Sequence, residues 1–496
     1  MVQPFVRVDV WTLPEDDPVL TAYGDAVAAM QAKPRSDPTS WAYQAAVHGT
    51  LAPSPRAAWN QCRHGTWYFV AWHRMYVYYF ERIVRAQVVS NGGPHSWALP
   101  YWNYDVAGHN TLPPAFRRRH RPDGSPNPLY VHDRNPGINS GAGLPSAITS
   151  ATFALSRATF TGASEFGGGA TSPLGQFWSS TGRLEQTPHN DVHVAVGGLM
   201  GDPDTAAQDP IFWLHHANID RLWWVWQAHH SNPTRAKWTE QAFSFKDVDG
   251  TDAALTGADV ERVGHRLGYT YDHEAGIAPA LPKEAESVNA NWPAPWPDRP
   301  DGPTPPPEPD SEGSDAARTL VGGTEGPVVL TGQTVRAPLT IDERATQSLI
   351  TDTRATERQH RAFIDVEDIQ AERNPGVVYG VYVNLPDDPS SADLAEHHVG
   401  NVALFGVERA RDPRGDEHGH GLRLSMEITE LLDRLSSSGA WQEGQRLDVV
   451  FRPITLEPPA AGEPDSASDA AGPERPMASA HPDLPITIGR VSVHYA

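Results

Sequence analysis

Residues 185–226 read EQTPHNDVHVAVGGLMGDPDTAAQDPIFWLHHANIDRLWWVW, and no other stretch restricts the fold as much. His189 and His193 are four residues apart. Four residues of α-helix turn the chain by about 400°, so both imidazoles leave one face. After the loop 197–209, a further imidazole from His215 or His216 stands at the start of an aromatic-rich helix. Three neutral imidazoles from two helices suit a first-row transition metal, copper or zinc above all. A fold that uses them must set those helices side by side with their histidines facing inward.

A second set lies upstream: His48, then His64 and His73 within CRHGTWYFVAWHRMYVYYFE. Nine residues on one helix turn through about 900°, which puts His64 and His73 on opposite sides. They converge only if His64 lies in the turn before the helix and His73 within it. His48 ends an earlier helical run, SWAYQAAVH, and is the natural third member. Two tri-histidine sets without a carboxylate or thiolate ligand leave the metals' charge uncompensated and open to a bridging anion.

The flanking residues make the pattern specific. The run His64–x4–Phe69–Val70–x–Trp72–His73–Arg74–x2–Val77–x3–Glu81 resembles the first copper signature of the tyrosinase family. Asp209–Pro210–x–Phe212–Trp213–x2–His216–x3–Asp220 resembles the second. Residues 1 to 275 are thus similar to type 3 copper proteins: tyrosinases, catechol oxidases and molluscan hemocyanins. That resemblance implies two copper ions, bridged by O2 or peroxide in the oxygenated form. It implies His48, His64, His73, His189, His193 and His216 as ligands, and selects His216 over His215. His95, His120, His132, His229 and His230 read as ordinary core or surface histidines.

The resemblance also assigns roles around the metals. An Asn directly after the first histidine of the second site, here Asn190, works in this family with an upstream Glu, here Glu185. Together they hold a water that takes the proton of a monophenol. Asn190 could equally cap free N–H groups at a helix start. Cys62, two residues before His64, matches the Cys-x-His arrangement that carries a thioether in fungal tyrosinases and molluscan hemocyanins. Asp220, one turn past His216, reads either as an acceptor orienting an imidazole or as an ion-pair partner of a nearby Arg. The loop 197–204 is expected to roof the pocket and, with mainly Gly, Asp and Pro203, to leave its mouth uncrowded.

At 496 residues the chain exceeds one compact core, so two domains are expected. Sixteen Trp with fourteen each of Tyr and Phe can fill a large interior. The catalytic part, 1–290, reads as mainly α: a four-helix bundle around the dinuclear copper site, with long surface loops over 105–175. A strand is expected over 5–13 and helices over 19–33, 40–48 and 64–85. Residues 267–271, LGYTY, resemble the Tyr-x-Tyr segment that closes this domain in the family.

From 291 to 317 the text is NWPAPWPDRPDGPTPPPEPDSEGSDAA. Such a Pro- and acid-rich run cannot bury enough apolar surface to fold and reads as an extended, protease-sensitive linker. Beyond it the period drops to two, in GPVVLTG, HRAFIDVEDIQ, GVVYGVYVNL, HVGNVALFGVE, RLDVVFRPITL and ITIGRVSVHYA, with one helix, MEITELLDRLSSS. Residues 318–496 are therefore expected to form an all-β sandwich of Greek-key type. Their order resembles the C-terminal domain of plant polyphenol oxidases, which implies a lid over the active site. Residues 457–482 interrupt it as a loop, and the HGHG run at 418–421 reads as a surface loop.

With 61 acidic against 39 basic residues and a formal charge of −22, nucleic acid and anionic membranes are not expected partners. The N-terminus lacks a basic-then-apolar signal pattern, and the single cysteine allows no internal disulfide,. Both fit a cytoplasmic protein, with export alongside a signal-bearing partner as the alternative. The resemblance implies copper-dependent oxidation of small phenols by O2, by a latent pro-enzyme with room for a copper chaperone. Monophenols would be ortho-hydroxylated and o-diphenols oxidised to o-quinones. An o-aminophenol oxidase is the near alternative and a hemocyanin-like O2 carrier the remote one.

Overall fold

The computed structural model describes residues 4–52, 56–162, 164–170, 180–272, 318–342, 361–410, 421–439, 441, 446–459, 481 and 483–496. The linker 291–317, the histidines of the HGHG run and most of 457–482 lie outside these residues.

The first part is mainly helical. Helix α1 (Pro18–Gln31) starts with Asp17 accepting from the Val19 N–H and Pro18 in its first turn; such a start satisfies groups the helix itself leaves unpaired. Helix α2 (Trp41–His48) is capped by Ser40 and stops at Gly49, so His48 is its last residue. Helix α3 (Phe69–Ser90) is the longest and packs on α1 and on the histidine-rich helix that follows. His64 precedes α3 and His73 lies within it, the arrangement that convergence requires. Helix α4 (Asp191–Val196) carries His193 and follows a tight turn, 185–190, that carries His189. Helix α5 (Ile211–Trp226) carries His215 and His216. Its first free N–H, that of Ile211, is taken by Asp209 Oδ1 at 3.1 Å.

Gly197 and Gly198 end α4 with φ of +67° and +56°, which favours glycine. A Cβ on Gly198 would stand 1.2 Å from the Asp133 carbonyl oxygen. The chain therefore turns hard against 133–135, and Asn135 Nδ2 donates to the carbonyls of Val194 and Ala195.

Two expectations change here. The strand expected over 5–13 is only β1 (Phe5–Arg7), because Asp9 accepts from the Trp11 N–H and winds Val10–Thr12 into a 3-10 turn. Residues 105–170 are loops with short turns of helix, but they are not a surface layer. Leu112, Phe116, Ile138, Leu144, Ile148, Phe160 and Phe166 are buried in the main core. A hairpin, β2 (Ala242–Lys246) and β3 (Asp252–Thr256), covers α3. Then β4 (Tyr269–Tyr271) pairs in parallel with β1, Arg7 opposite Tyr271, and ties the domain's end to its start.

The second part is β-rich: β5 (Thr319–Gly323), β6 (Val328–Leu330), β7 (Val335–Ile341), β8 (Ala362–Gln370), β9 (Tyr379–Val383), β10 (His398–Val402), β11 (Leu422–Glu427), β12 (Leu447–Pro453) and β13 (Ile486–Tyr495). They form one nine-stranded sheet, ordered β10-β9-β12-β7-β5-β13-β8-β11 with β6 also on β13. The expected two-sheet sandwich is thus replaced by a single sheet, since β7 pairs with both β12 and β5 and leaves no break. The sheet curls until its edges β10 and β11 meet, nearly closing a barrel. Closure of that kind protects edge strands. Helices α6 (Ser391–His397), α7 (Val407–Ala410) and α8 (Thr429–Ser437) join strands. The helix expected from Met426 begins only at Thr429, because Met426 and Glu427 pair with β8. No helix among the described residues is long and apolar enough to cross a membrane.

The two parts pack closely. Val378, Ala403 and Phe405 of the β part belong to the core of the helical part. Around them Asn374 donates to the Gly201 carbonyl, Ser164 to the Ser425 carbonyl and Asn401 to Asp191. Arg157 pairs with Glu427, Arg361 with Glu165, and Arg409 with Asp204.

Candidate metal centre

Six imidazoles meet in the helical core, all buried. Within the first set the ring centroids of His48, His64 and His73 lie 5.2–5.6 Å apart. Within the second, those of His189, His193 and His216 lie 4.5–5.4 Å apart. The sets adjoin: His73 stacks on His216 at 4.5 Å, and His64 lies 5.7 Å from His189. One ring nitrogen each of His48, His73 and His216 falls within 4.8 Å of the others, so this is one dinuclear pocket and not two distant sites.

Four of the six rings are oriented from behind. The Nδ1 of His48 bonds to the Pro203 carbonyl, that of His73 to the Phe69 carbonyl and that of His193 to the Met200 carbonyl, all at 2.8 Å. His189 Nδ1 bonds to Asn190 Oδ1, also at 2.8 Å. This turns Nε2 inward, and the Nε2 atoms of His48, His73 and His189 are buried without a hydrogen-bond partner. Buried polar atoms are rarely left so; oriented imidazoles with a bare second nitrogen are the usual form of metal-ligating histidine. His193 Nε2 and His216 Nε2 stand 3.2 Å apart. Two nitrogens at about 2.0–2.1 Å from one ion, near tetrahedral angles, have about that spacing.

Burial holds His73 and His193 down to about 3 and His48, His64, His189 and His216 well below the ordinary imidazole range. All are therefore neutral at physiological pH, the form that binds metal. Phe69 packs 4.7 Å from His73 and 4.6 Å from His189, and Phe212 packs 4.2 Å from His216 and 5.0 Å from His48. These rings complete an apolar wall. An all-imidazole donor set of this kind fits copper.

The loop expected as a roof lies behind the ligands instead. It supplies the Met200 and Pro203 carbonyls and faces the β domain through Gly201 and Asp204. What covers the pocket is Phe405, in the turn between β10 and α7. Its ring stacks on His193 at 4.2 Å and meets His64 and His189 edge-on at 5.4 and 5.5 Å.

Glu185 accepts the Gly65 N–H through both oxygens, at 2.8 and 3.0 Å. Burial pushes its carboxyl well above the usual range despite that bond. Glu185 is thus fastened beside His64 and Asn190 beside His189. Cys62 Sγ lies within 4.8 Å of ring nitrogens of His48 and His64.

Asp220 does not reach an imidazole. It bonds to Arg7, Arg74, Tyr269 and Tyr271, and against burial the two guanidiniums hold its carboxyl below the usual range. Its reading as an orienting acceptor is therefore corrected: it makes the arginine pairs instead, and knots β1, α3, α5 and β4 together. His215 lies among the second set, its ring stacked 5.3 Å from His189 and tilted against Tyr104 at 5.7 Å, and neither of its nitrogens has a hydrogen-bond partner.

Phe405, Asn401 and Arg409 were not found from sequence. Phe405 lies inside the run HVGNVALFGVE, which reads as one strand; the strand β10 ends at Val402, and ALFG leaves the sheet. The role of Phe69 and Phe212 as ring supports was likewise hidden inside the signatures.

Comparison with known proteins agrees with this geometry. Residues 38–136 and 144–229 match the family model described as the common central domain of tyrosinase. Residues 317–461 match a domain of unknown function. The chain is 32% identical to a tyrosinase of Hahella sp. (strain CCB-MM4), over 98% of each chain. It is 27% identical to the (+)-larreatricin hydroxylase of Larrea tridentata, over 86% of this chain and 72% of that one. Among solved structures, latent apple tyrosinase shares the fold with a TM-score of 0.60 at 20% identity, over 100% and 98% of the two chains. The chain belongs to the tyrosinase and polyphenol oxidase family, oxidoreductases that oxidise phenols with O2 at a pair of copper ions held by histidines.

Proposed function

We propose that the chain is a latent phenol oxidase that hydroxylates monophenols ortho to their hydroxyl and oxidises o-diphenols to o-quinones. The observation that carries this reading is Phe405: an aromatic ring stacked on His193 inside the six-histidine pocket. A phenol presents the same flat aromatic ring, so the pocket suits a substrate of that class and the β domain competes for its place.

His48, His64 and His73 would hold one copper ion and His189, His193 and His216 the other. Bound copper supplies O2 binding and two-electron redox chemistry. The protein's task is to seat the phenol and remove its proton. A phenol of pKa about 10 needs a base to become a ligand at neutral pH. Glu185 and Asn190 would hold a water for that step: Glu185 keeps lone pairs beyond those used by the Gly65 N–H, and a water held there is a suitable general base. Burial of the pocket excludes bulk water and strengthens these contacts. Cys62 would be bonded through sulfur to the His64 ring, fixing that ligand and removing a thiol from beside copper.

The latent form is supported by the number of contacts that seat the β domain, apolar at Phe405 and ionic at Arg157–Glu427, Arg361–Glu165 and Arg409–Asp204. The test is oxygen uptake by the copper-loaded chain, after limited proteolysis within residues 291–317, with a monophenol, an o-diphenol and an o-aminophenol. Monophenol turnover supports the hydroxylase. Turnover of o-aminophenol in preference to both would replace it with an aminophenol oxidase. Uptake with the o-diphenol alone would reduce it to a catechol oxidase.

A further inference from the structure

We propose that Arg409, carried by the β domain, is the positioning residue for Cys62, and that the Cys62–His64 bond forms while that domain is docked. The domain then takes part in maturing the site as well as covering it. This rests on the reading of the site as a copper oxidase.

Arg409 sits on α7, four residues past Phe405, and reaches a different part of the pocket: the back of the first histidine set. Its Nη1 donates to Cys62 Sγ at 3.2 Å, and its Nε and Nη2 donate to the Asp204 carboxylate. The slot it fills exists because residue 49 is glycine. A Cβ there would stand 2.5 Å from Arg409 Nη2 and 2.2 Å from the Pro203 carbonyl oxygen. That carbonyl is the one that orients His48. A single side chain of the β domain is therefore fixed against the sulfur and against the loop that aims a ligand.

A cysteine sulfur has three staggered positions about χ1. The N–H···S bond selects the one seen here, with Sγ within 4.8 Å of the nitrogens of His48 and His64. Joining sulfur to a ring carbon of His64 removes the thiol hydrogen and one ring hydrogen. The two electrons and two protons pass to O2, which the enzyme already uses, giving hydrogen peroxide. Such a step needs the sulfur held at the ring edge, and small misplacements of reacting atoms are costly. Once the β domain leaves, Arg409 leaves with it. Bond formation therefore precedes release of the domain.

The experiment loads the metal-free full-length chain with copper in air and follows the intact mass, which falls by two hydrogens per chain. Peptide mapping and thiol alkylation after denaturation locate the loss. Wild type, R409M and R409K are compared, with copper content and thermal unfolding measured alongside. R409M should bind two copper ions yet form the bond at least about tenfold more slowly, and R409K, which restores a donor, should recover most of the rate. If R409M does not fold, R409Q is read in its place, its short side chain reaching the sulfur poorly. Bond formation at the wild-type rate in R409M or R409Q overturns the proposal. So does a wild-type chain that oxidises phenols while Cys62 stays alkylatable, an outcome that leaves the oxidase reading standing. Absence of phenol oxidation, after cleavage within residues 291–317, from a chain that has formed the bond would count against that reading alone.

Discussion

The ring of Phe405 lies 4.2 Å from that of His193, with the planes 21° apart. One residue belongs to the β domain and the other to the metal pocket, so the cover and the centre meet through a single aromatic stack. Burying a Phe side chain contributes about 1.5–3 kcal/mol. F405A should therefore raise the activity of the uncut chain by about tenfold or more and change little once the β domain has been removed. Steady-state kcat/KM with one phenol, before and after cleavage, checks this.

Copper content separates ligands from neighbours. Substituting Ala for any of His48, His64, His73, His189, His193 or His216 should lower bound copper from two ions to one or none per chain. H215N should keep both, because the second copper signature of this family, Asp209–Pro210–x–Phe212–Trp213–x2–His216, places the ligand at His216. Metal analysis of the loaded, desalted protein distinguishes the outcomes.

The β domain should be released by acid. Burial opposes the charge on Glu427, yet Arg361 and Arg157 hold its carboxyl down to about 2. Arg361 belongs to the same domain as Glu427, so only the part of the depression that Arg157 supplies across the interface favours docking. That part is present above the ordinary carboxyl pKa of about 4.3 and is lost as pH falls toward 2,. Exposure of the interface in the uncut chain, followed at each pH by protease sensitivity or hydrogen exchange, should rise across that interval. In E427Q that rise should flatten, and the variant should be partly released at pH 7.

Asp220 is the keystone of the buried knot that joins Arg7, Arg74, Tyr269 and Tyr271. D220N leaves two buried guanidiniums short of charge, which costs about 3–5 kcal/mol. For a domain of this size that is a fall in Tm of about 10 °C, measured by calorimetry on the copper-loaded chain. The copper spectrum should be unchanged below the new Tm, since Asp220 touches no ligand.

Much of the centre was legible in the chain because helix geometry is local. The spacing of His189 and His193 puts both on one face, and the wider spacing of His64 and His73 places His64 ahead of α3, where it lies. The alternation of β8, β9, β12 and β13 was equally plain. What could not be read is set by contacts distant in sequence. Asp220 had two partner types within reach, and the arrival of Arg7 on β1 and Arg74 on α3 decides between them. Phe116, Phe160 and Phe166 sit in Gly- and Pro-rich text that reads as surface, yet the core needs them. The closing of one sheet depends on β7, which pairs with strands on both sides. Phe405 reads as part of the strand HVGNVALFGVE, yet β10 ends at Val402, because the role of Phe405 depends on how two domains dock.

The most direct measurement is oxygen uptake by the copper-loaded full-length chain with a monophenol, before and after limited proteolysis within residues 291–317. The account predicts little uptake before the cut and a large rise after it, with quinone formed in step. Equal uptake in both states would contradict the covering role of Phe405. Absence of uptake in both, with two copper ions bound, would contradict phenol oxidation itself.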